Sequence, residues 1–134
     1  MQQFEWGEKY SVDIPQIDAQ HRQIIDLLDE LWRCAHGPEE EKLAPAALAR
    51  VIRYAQSHLQ REELMLRIRG YPDYAEHKTE HDAYRRKVAY LKAHSDRKDL
   101  VIRIANFLRD WWKYHILTSD QKYARFFRSN PENR

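Results

Sequence analysis

The stretch from His58 to His81, which reads HLQREELMLRIRGYPDYAEHKTEH, decides the fold. His58 lies four residues before Glu62, and the same spacing separates His77 from His81. On a helix this spacing places both members of a pair on one face, one turn apart. The Gly-Tyr-Pro sequence at 70–72 ends one helix and starts the next. Two antiparallel helices joined there would direct three imidazoles and one carboxylate into the same interior, and these groups are ligands for iron, zinc, copper and manganese.

The length and composition predict a globular protein with one domain, residues 1–134. Hydrophobic residues make up 43% and charged residues 33% of the chain, which excludes a disordered chain. The formal net charge of +2 is too balanced to favour a nucleic-acid or membrane-surface partner. The one cysteine, Cys34, cannot form an intrachain disulfide and is typical of a reducing compartment. Because neither a signal peptide nor a membrane span is visible, the sequence predicts a cytoplasmic protein.

Four segments carry apolar residues at helical spacing. They run from Pro15 to His36 before Gly37-Pro38, from about Lys42 to residues 70–72, from there to a loop around Ser95-Asp96, and from that loop past His115. The apolar inner positions are expected to be Ile24, Ile25, Leu28, Leu31, Trp32 and Ala35, then Ala47, Val51, Tyr54 and Met65, then Tyr74, Tyr84, Val88 and Leu91, and finally Val101, Ile104, Leu108 and Trp111. Short connections make neighbouring helices antiparallel. The sequence therefore predicts an all-α fold, an up-down-up-down four-helix bundle with an N-terminal arm over residues 1–14 and a short C-terminal helix.

Polar residues interrupt the inner face of every predicted helix. They are His21 on the first helix, His58 and Glu62 on the second, His77 and His81 on the third, and His115 on the fourth. A lone buried histidine is more often a hydrogen-bonded part of the scaffold than a metal ligand. Five buried imidazoles without partners, however, would cost on the order of 1–3 kcal/mol each, and a metal site removes that cost. The set therefore predicts a metal site, with His36 and His94 outside it.

Asp120 is a further candidate ligand, five residues after His115. On an unbroken helix the two residues would lie about 140° apart and could not converge. Thr118-Ser119 is a poor helix interior, and a break there would turn Asp120 back toward the site. The alternative is that Asp120 caps a short terminal helix.

Five imidazoles and two carboxylates are more ligands than one ion needs, since zinc takes three or four from the protein. The set suits two ions, with Glu62 and Asp120 as bridging ligands. Two divalent ions would leave positive charge uncompensated, which favours an added oxide or hydroxide bridge. Nitrogen-rich ligation with an open position favours iron, so the expected cofactor is an oxo- or hydroxo-bridged centre of two irons.

Four ordered motifs resemble the hemerythrin family, and in particular the single-domain bacteriohemerythrins. They are Asp18-Ala19-Gln20-His21, His58-x3-Glu62-Glu63, Tyr71-Pro72-x4-His77-x3-His81-Asp82, and His115-Ile116-x3-Asp120-x2-Tyr123. The resemblance covers nearly the whole chain and implies a non-haem di-iron site that binds O2 reversibly. It assigns one iron to His77, His81 and His115, the other to His21 and His58, and both to the bridging Glu62 and Asp120. The iron with two histidines would keep an open position for O2.

The resemblance implies an oxygen carrier, store or sensor rather than an enzyme. Its ligands would be O2 or small anions such as azide, and delivery of O2 to an oxygen-using enzyme is a further expected role. The alternative is a di-iron oxidase or peroxidase of the ferritin-like type, or a redox sensor. Such enzymes take a Glu-x-x-His motif from each of two helices together with further carboxylates. Here only the pair Asp18 and His21 has that spacing.

Trp112 departs from the family pattern and is the one expected pocket residue besides the metal ligands. It lies three residues before His115, where the family usually carries a leucine that faces the O2 pocket. Trp111 continues the helical spacing better and is expected in the core. Trp112 is then either half exposed at a seam between helices, or fills and restricts the pocket beside the open iron. In the second case its N–H is a potential donor to a bound oxygen ligand.

Overall fold

The computed structural model of the protein describes residues 4–37, 41–94 and 97–133, without the side chains of residues 97 and 98. These ranges contain the helices α1 (Pro15–His36), α2 (Ala44–Ile68), α3 (Tyr74–His94), α4 (Arg97–Leu117) and α5 (Ser119–Ser129). Short 3₁₀ helices occur at Glu8–Tyr10, Glu41–Leu43 and Pro131–Asn133, and the described residues contain no strand. The α1 helix packs against α2 and α4, and α3 packs against the same two helices. The predicted four-helix bundle is therefore confirmed.

Proline residues mark the start of two helices. Pro15 and Pro45 both lie in the first turn of a helix, where the missing N–H has no intrahelical partner to lose. The α1 helix has the predicted limits, whereas α2 begins at Ala44, two residues later than expected, because a 3₁₀ turn precedes it. Pro38 and the predicted loop around Ser95-Asp96 lie outside the described residues.

Gly70 ends α2 in a left-handed backbone conformation, with a φ of 73°. The N–H of Gly70 donates to the carbonyl of Arg67, and the N–H of Tyr71 donates to the carbonyl of Leu66. These two bonds form a Schellman arrangement, which glycine adopts without the strain that a Cβ would add. The chain reverses within a few residues, so α3 begins at Tyr74 and runs back alongside α2.

Asp18 fastens the N-terminal arm to the bundle. Its carboxylate accepts hydrogen bonds from the Ser11 hydroxyl at 2.6 Å and from the Val12 N–H at 2.8 Å. Farther along α1, the buried carboxylate of Asp29 accepts a hydrogen bond from the N–H of Phe4. Asp18 lies in the first turn of α1, and its side chain binds the arm without capping the helix.

Most of the predicted inner positions are buried, but several at the edges of the apolar helix faces are only partly buried. Tyr54 and Met65 are only partly buried, and the neighbouring Ala55, Leu59 and Leu66 lie fully inside instead. Trp32, Ala35, Tyr74, Val101 and Trp111 are also partly buried, at the border between core and solvent. The reason is that a spacing pattern fixes the apolar face of a helix but not how far the helix rotates toward its neighbours. In the described ranges no helix is long and apolar enough to cross a membrane.

Cys34 is a packing residue near the end of α1, with 2% of its surface exposed. We expect Cys34→Ser to lower the free energy of unfolding by about 1–3 kcal/mol, because a hydroxyl is costlier to bury than a thiol. Cys34→Ala, which adds no hydroxyl, should cost less than Cys34→Ser. Chemical denaturation of the three proteins measures the difference.

The same variants should keep the absorption spectrum of any bound metal. Cys34 lies about 20 Å from His21 along α1, at a rise of about 1.5 Å per residue. A shifted spectrum in Cys34→Ser would place the thiol at the metal site and contradict its role in packing.

Candidate metal centre

The seven predicted metal ligands lie together in one buried cluster, each with 3% or less of its surface exposed. The set consists of His21 from α1, His58 and Glu62 from α2, His77 and His81 from α3, His115 from α4, and Asp120 from α5. These residues lie near the start of α1 and α3 and toward the end of α2 and α4, so antiparallel packing brings them to one end of the bundle. His36 and His94 are exposed at the C-termini of α1 and α3 and lie outside the cluster, as predicted.

Glu62 lies between two groups of histidines and faces each with a different oxygen. Its Oε1 atom lies 2.8 Å from Nε2 of His77 and 3.1 Å from Nε2 of His81. Its Oε2 atom lies 3.3 Å from Nε2 of His58 and 3.6 Å from Nε2 of His21. His115 joins the Oε1 side, which gives one group of three histidines and one of two. Within each group, one potential ligand atom from every histidine and an oxygen of Glu62 lie within 4.8 Å of one another.

The predicted break before Asp120 is present. The α4 helix ends at Leu117 and α5 begins at Ser119. The Thr118 hydroxyl donates to the carbonyl of Tyr114 at 2.7 Å, where the helix stops. Asp120 lies in the first turn of α5, but neither of its oxygens accepts a hydrogen bond, so the alternative that it caps this helix is wrong.

The break turns the Asp120 carboxylate into the cluster. Its Oδ1 atom lies 3.1 Å from Nε2 of His115 and 3.2 Å from Nε2 of His77, both in the group of three. Its Oδ2 atom lies 3.2 Å from Nε2 of His21, in the group of two. Asp120 therefore spans the same two groups as Glu62, with one oxygen toward each.

Further polar side chains hold the cluster in orientation. The Nδ1 atom of His58 lies 2.6 Å from Oε1 of Gln20, and Nδ1 of His81 lies 2.7 Å from Oε2 of Glu63. Arg85 binds the same Glu63 oxygen at 2.8 Å. A hydrogen bond on the outer nitrogen leaves Nε2 of each ring directed inward. The sequence interpretation gave these three residues no role. Gln20 and Glu63 could have been predicted because they are adjacent to His21 and Glu62, whereas no local pattern indicates a role for Arg85.

The contacts inside the cluster test whether it suits a cation. The Nε2 atoms of His21 and His58 lie 3.2 Å apart, and those of His81 and His115 lie 3.1 Å apart. Both oxygens of the fully buried Asp120 have no hydrogen-bond partner, which is rare for buried polar atoms. Nitrogen and oxygen atoms of the cluster thus face one another at close range, and the Asp120 oxygens have no hydrogen-bond donor. Imidazole and carboxylate donors of this kind suit iron, manganese or zinc, so the cluster fits a metal site.

Residues 12–127 match the family described as Hemerythrin HHE cation binding domain. The chain belongs to the hemerythrin family. It is similar to the bacteriohemerythrin of Stenotrophomonas maltophilia strain R551-3, with 31% identity over 120 residues, which cover 89% of this chain and 78% of that protein. The bacteriohemerythrin of Methylococcus capsulatus strain Bath is 29% identical over 118 residues, which cover 87% of this chain and 89% of that protein. A third, from Pseudomonas aeruginosa strain PAO1, is 26% identical over 120 residues, which cover 89% and 78%.

Trp112 is fully buried beside the cluster and lies near one histidine of each group. Its ring centroid lies 5.7 Å from that of His58 and 6.3 Å from that of His115. The expectation that Trp111 is the core residue and the alternative of a half-exposed Trp112 are both wrong. Trp111 is partly buried and stacks on His115, with centroids 4.3 Å apart. The Trp112 N–H donates to the Tyr84 hydroxyl at 3.2 Å, so it is not directed at the metal cluster.

The protonation of the metal-free cluster follows from its two buried carboxylates. Burial lowers the pKa of His21, but the neighbouring Asp120 and Glu62 carboxylates outweigh this effect and raise the pKa to about 9. The same carboxylates raise the pKa of His77 to about 10 against the effect of burial. Burial raises the pKa values of Glu62 and Asp120, yet the surrounding imidazoles hold both well below their usual range. At neutral pH His21 and His77 are therefore protonated in the metal-free cluster, and a metal must displace those protons.

We expect His21, His77, Glu62 and Asp120 to contribute most to the stability of the metal-free protein between about pH 4.5 and 6.5, the ordinary pKa values of glutamate and histidine. The raised pKa values of His21 and His77 contribute stability that is complete below pH 6.5 and lost as the pH rises through about 9 and 10. The lowered pKa values of Glu62 and Asp120 contribute stability that is complete above pH 4.5 and lost as the pH falls.

Denaturant unfolding of the chelator-treated protein at a series of pH values measures this dependence. The double variant His21→Gln, His77→Gln is the matched control, because it removes the two raised pKa values and should flatten the decline toward alkaline pH. A wild-type stability that stays constant from pH 6.5 to pH 10 would contradict the assignment of the two protonated histidines.

Proposed function

We propose that this hemerythrin is a non-haem di-iron protein that binds O2 reversibly and serves as an oxygen carrier, store or sensor. The observation that carries the proposal is the position of Glu62 between a group of three histidines and a group of two. Two nitrogen-rich sites that share carboxylates suit a pair of irons. Because one site has fewer protein ligands, it keeps a position for O2 or for a small anion such as azide.

Each residue of the proposed centre has a definite role. His77, His81 and His115 would hold one iron, His21 and His58 would hold the other, and Glu62 and Asp120 would be shared by both. When bound, the irons supply the electrons that reversible binding of O2 requires. The Tyr123 hydroxyl donates to Oε2 of Glu62 at 2.9 Å and fixes that bridging carboxylate. Burial of the cluster under Trp112 and the apolar core excludes bulk water from the side where O2 would bind.

The contacts of Asp18 argue for binding rather than oxidase chemistry. Ferritin-like di-iron enzymes place a carboxylate and a histidine three residues apart on the metal in each of two helices. Asp18 has that spacing to His21, but its carboxylate binds Ser11 and Val12 of the arm and does not reach the cluster. The cluster therefore has five histidines and two carboxylates, a nitrogen-rich set for reversible binding.

A second candidate, a redox sensor or oxidase-type protein with a restricted pocket, is favoured by one observation. Trp112 is fully buried next to His58, which in the proposed function belongs to the iron with the open position. An indole there leaves less volume for O2 than a leucine would, since protein cores hold few voids of that size. Reaction with O2 without stable, reversible binding would follow from such a pocket.

Metal analysis and absorption spectra distinguish these functions. We expect two irons per chain, and a spectrum of the reduced protein that changes in air and returns when O2 is removed. Rapid consumption of O2 without an oxygenated spectrum would favour the second candidate. A protein that retains no iron after reconstitution would contradict both.

The double variant His77→Ala, His81→Ala should lose at least one iron, because it removes two of the three histidines on one side of Glu62. The matched control is His36→Ala, His94→Ala, which removes the same number of imidazoles outside the cluster and should keep both irons. Iron content after gel filtration measures the outcome. Full occupancy in the first variant would refute the assignment of ligands.

Trp112→Leu should bind azide faster than the wild type in the oxidised protein, because it opens volume beside His58. Trp32→Leu is the control, since Trp32 is also partly buried but stacks on the exposed His36, about 16 Å from His21 along α1 at 1.5 Å per residue. Stopped-flow absorption measures both association rates. Equal or slower binding in Trp112→Leu would show that this indole does not restrict the site.

A further inference from the structure

A cleft of about 200 Å³ lies between α2 and α3. Its lining includes Ile52 and Gln56 of α2 and Tyr84, Arg85, Val88 and Ala89 of α3. Ala89 is exposed at its surface, whereas Val88 and Tyr84 have only 7% and 4% of their surface exposed. The cleft is thus open to solvent at Ala89 and is lined on its inner side by the buried Val88 and Tyr84.

Tyr84 connects the inner end of this cleft to the metal cluster. Its hydroxyl accepts the hydrogen bond from the Trp112 N–H, and the two rings meet edge to face with centroids 5.5 Å apart. Trp112 in turn lies 5.7 Å from His58, in the group of two histidines. Tyr84 and Trp112 thus connect the inner end of the cleft to His58.

A second cavity, of about 30 Å³, touches the cluster at His77. The carboxylates of Asp73, Glu76 and Glu80 line it. This cavity suits an apolar gas poorly, because most of its lining is charged and includes Lys122 as well as the three carboxylates. It also meets the group of three histidines, which in the proposed function holds the iron without an open position. The cleft between α2 and α3 has the more apolar lining and leads to the other group.

We infer that the cleft between α2 and α3 is the route by which O2 reaches the cluster, and that the Tyr84–Trp112 pair closes its inner end. The inference rests on the proposed function, since it concerns access to the iron held by His21 and His58. The closed indole blocks the direct line to His58. Its hydrogen bond to Tyr84 holds it in that position, so entry requires Trp112 to move.

Filling the mouth of the cleft tests the route. In the oxidised protein, Ala89→Trp should slow the association and the dissociation of azide by about tenfold each, because a bulky side chain obstructs passage in both directions. The affinity for azide, as the ratio of the two rates, should stay unchanged. The matched control is Ala83→Trp, the same substitution at an exposed position of α3 that does not line the cleft. Equal rates in the two variants would overturn the route.

Removing the hydroxyl of Tyr84 tests the closure. Tyr84→Phe keeps the ring and deletes the acceptor of the Trp112 N–H, so azide should enter and leave faster at unchanged affinity. Unchanged rates in Tyr84→Phe would overturn the role of this pair.

Xenon provides a readout that does not depend on ligand binding at iron, because it occupies apolar cavities. Crystals of the iron-loaded protein under xenon pressure should show density between Ile52, Val88 and Tyr84, and Ala89→Trp should remove it. Xenon bound elsewhere beside Trp112 would overturn the route. Failure of the proposed function would give a different result. The reduced wild type would then show no reversible spectral change with O2, while the azide rates and the xenon position would still report on the cleft.

Discussion

The fold depends on burying one carboxylate, that of Glu62, between two groups of imidazoles. An ion buried without compensation costs several kcal/mol, so the residues that face it are needed together. The α3 helix directs His77 to one oxygen, α1 and α2 direct His21 and His58 to the other, and α5 adds the Tyr123 hydroxyl. Each contact comes from a different part of the chain. The cluster and the tertiary structure therefore depend on the same contacts.

The parts of this arrangement that sequence could predict are those set by local geometry. The pairs His58 with Glu62 and His77 with His81 share a helix face by spacing alone, and Gly70 marks the reversal that brings the two faces together. The break before Asp120 was also predictable, because Thr and Ser weaken a helix interior. Local helix geometry thus explains why most residues of the buried cluster could be predicted from the sequence.

Helix rotation and long-range contacts explain what sequence did not predict. Trp111 and Trp112 are adjacent on α4 at the edge of one apolar stripe, and packing against the other helices determines which is buried. The partial burial of Tyr54 and Met65 has the same origin. The bond from Glu63 to His81 joins two helices, and Arg85 reaches Glu63 from a turn farther along α3. Such pairings depend on the register between helices, which no local pattern contains.

The position of the ligands at one end of the bundle divides the molecule into two regions with different tolerance for change. Around the cluster, the arm, the Gly70 turn and α5 share a second apolar core that includes Ile17, Tyr71 and Phe127. An insertion there would disturb several elements at once. At the opposite end, where α1 and α3 finish, chain length should matter little, because loop-closure entropy grows only slowly with length. Peptide tags, sensor domains or new termini are therefore best introduced at that end. It lies about 20 Å from the histidines of the cluster, at 1.5 Å per helical residue.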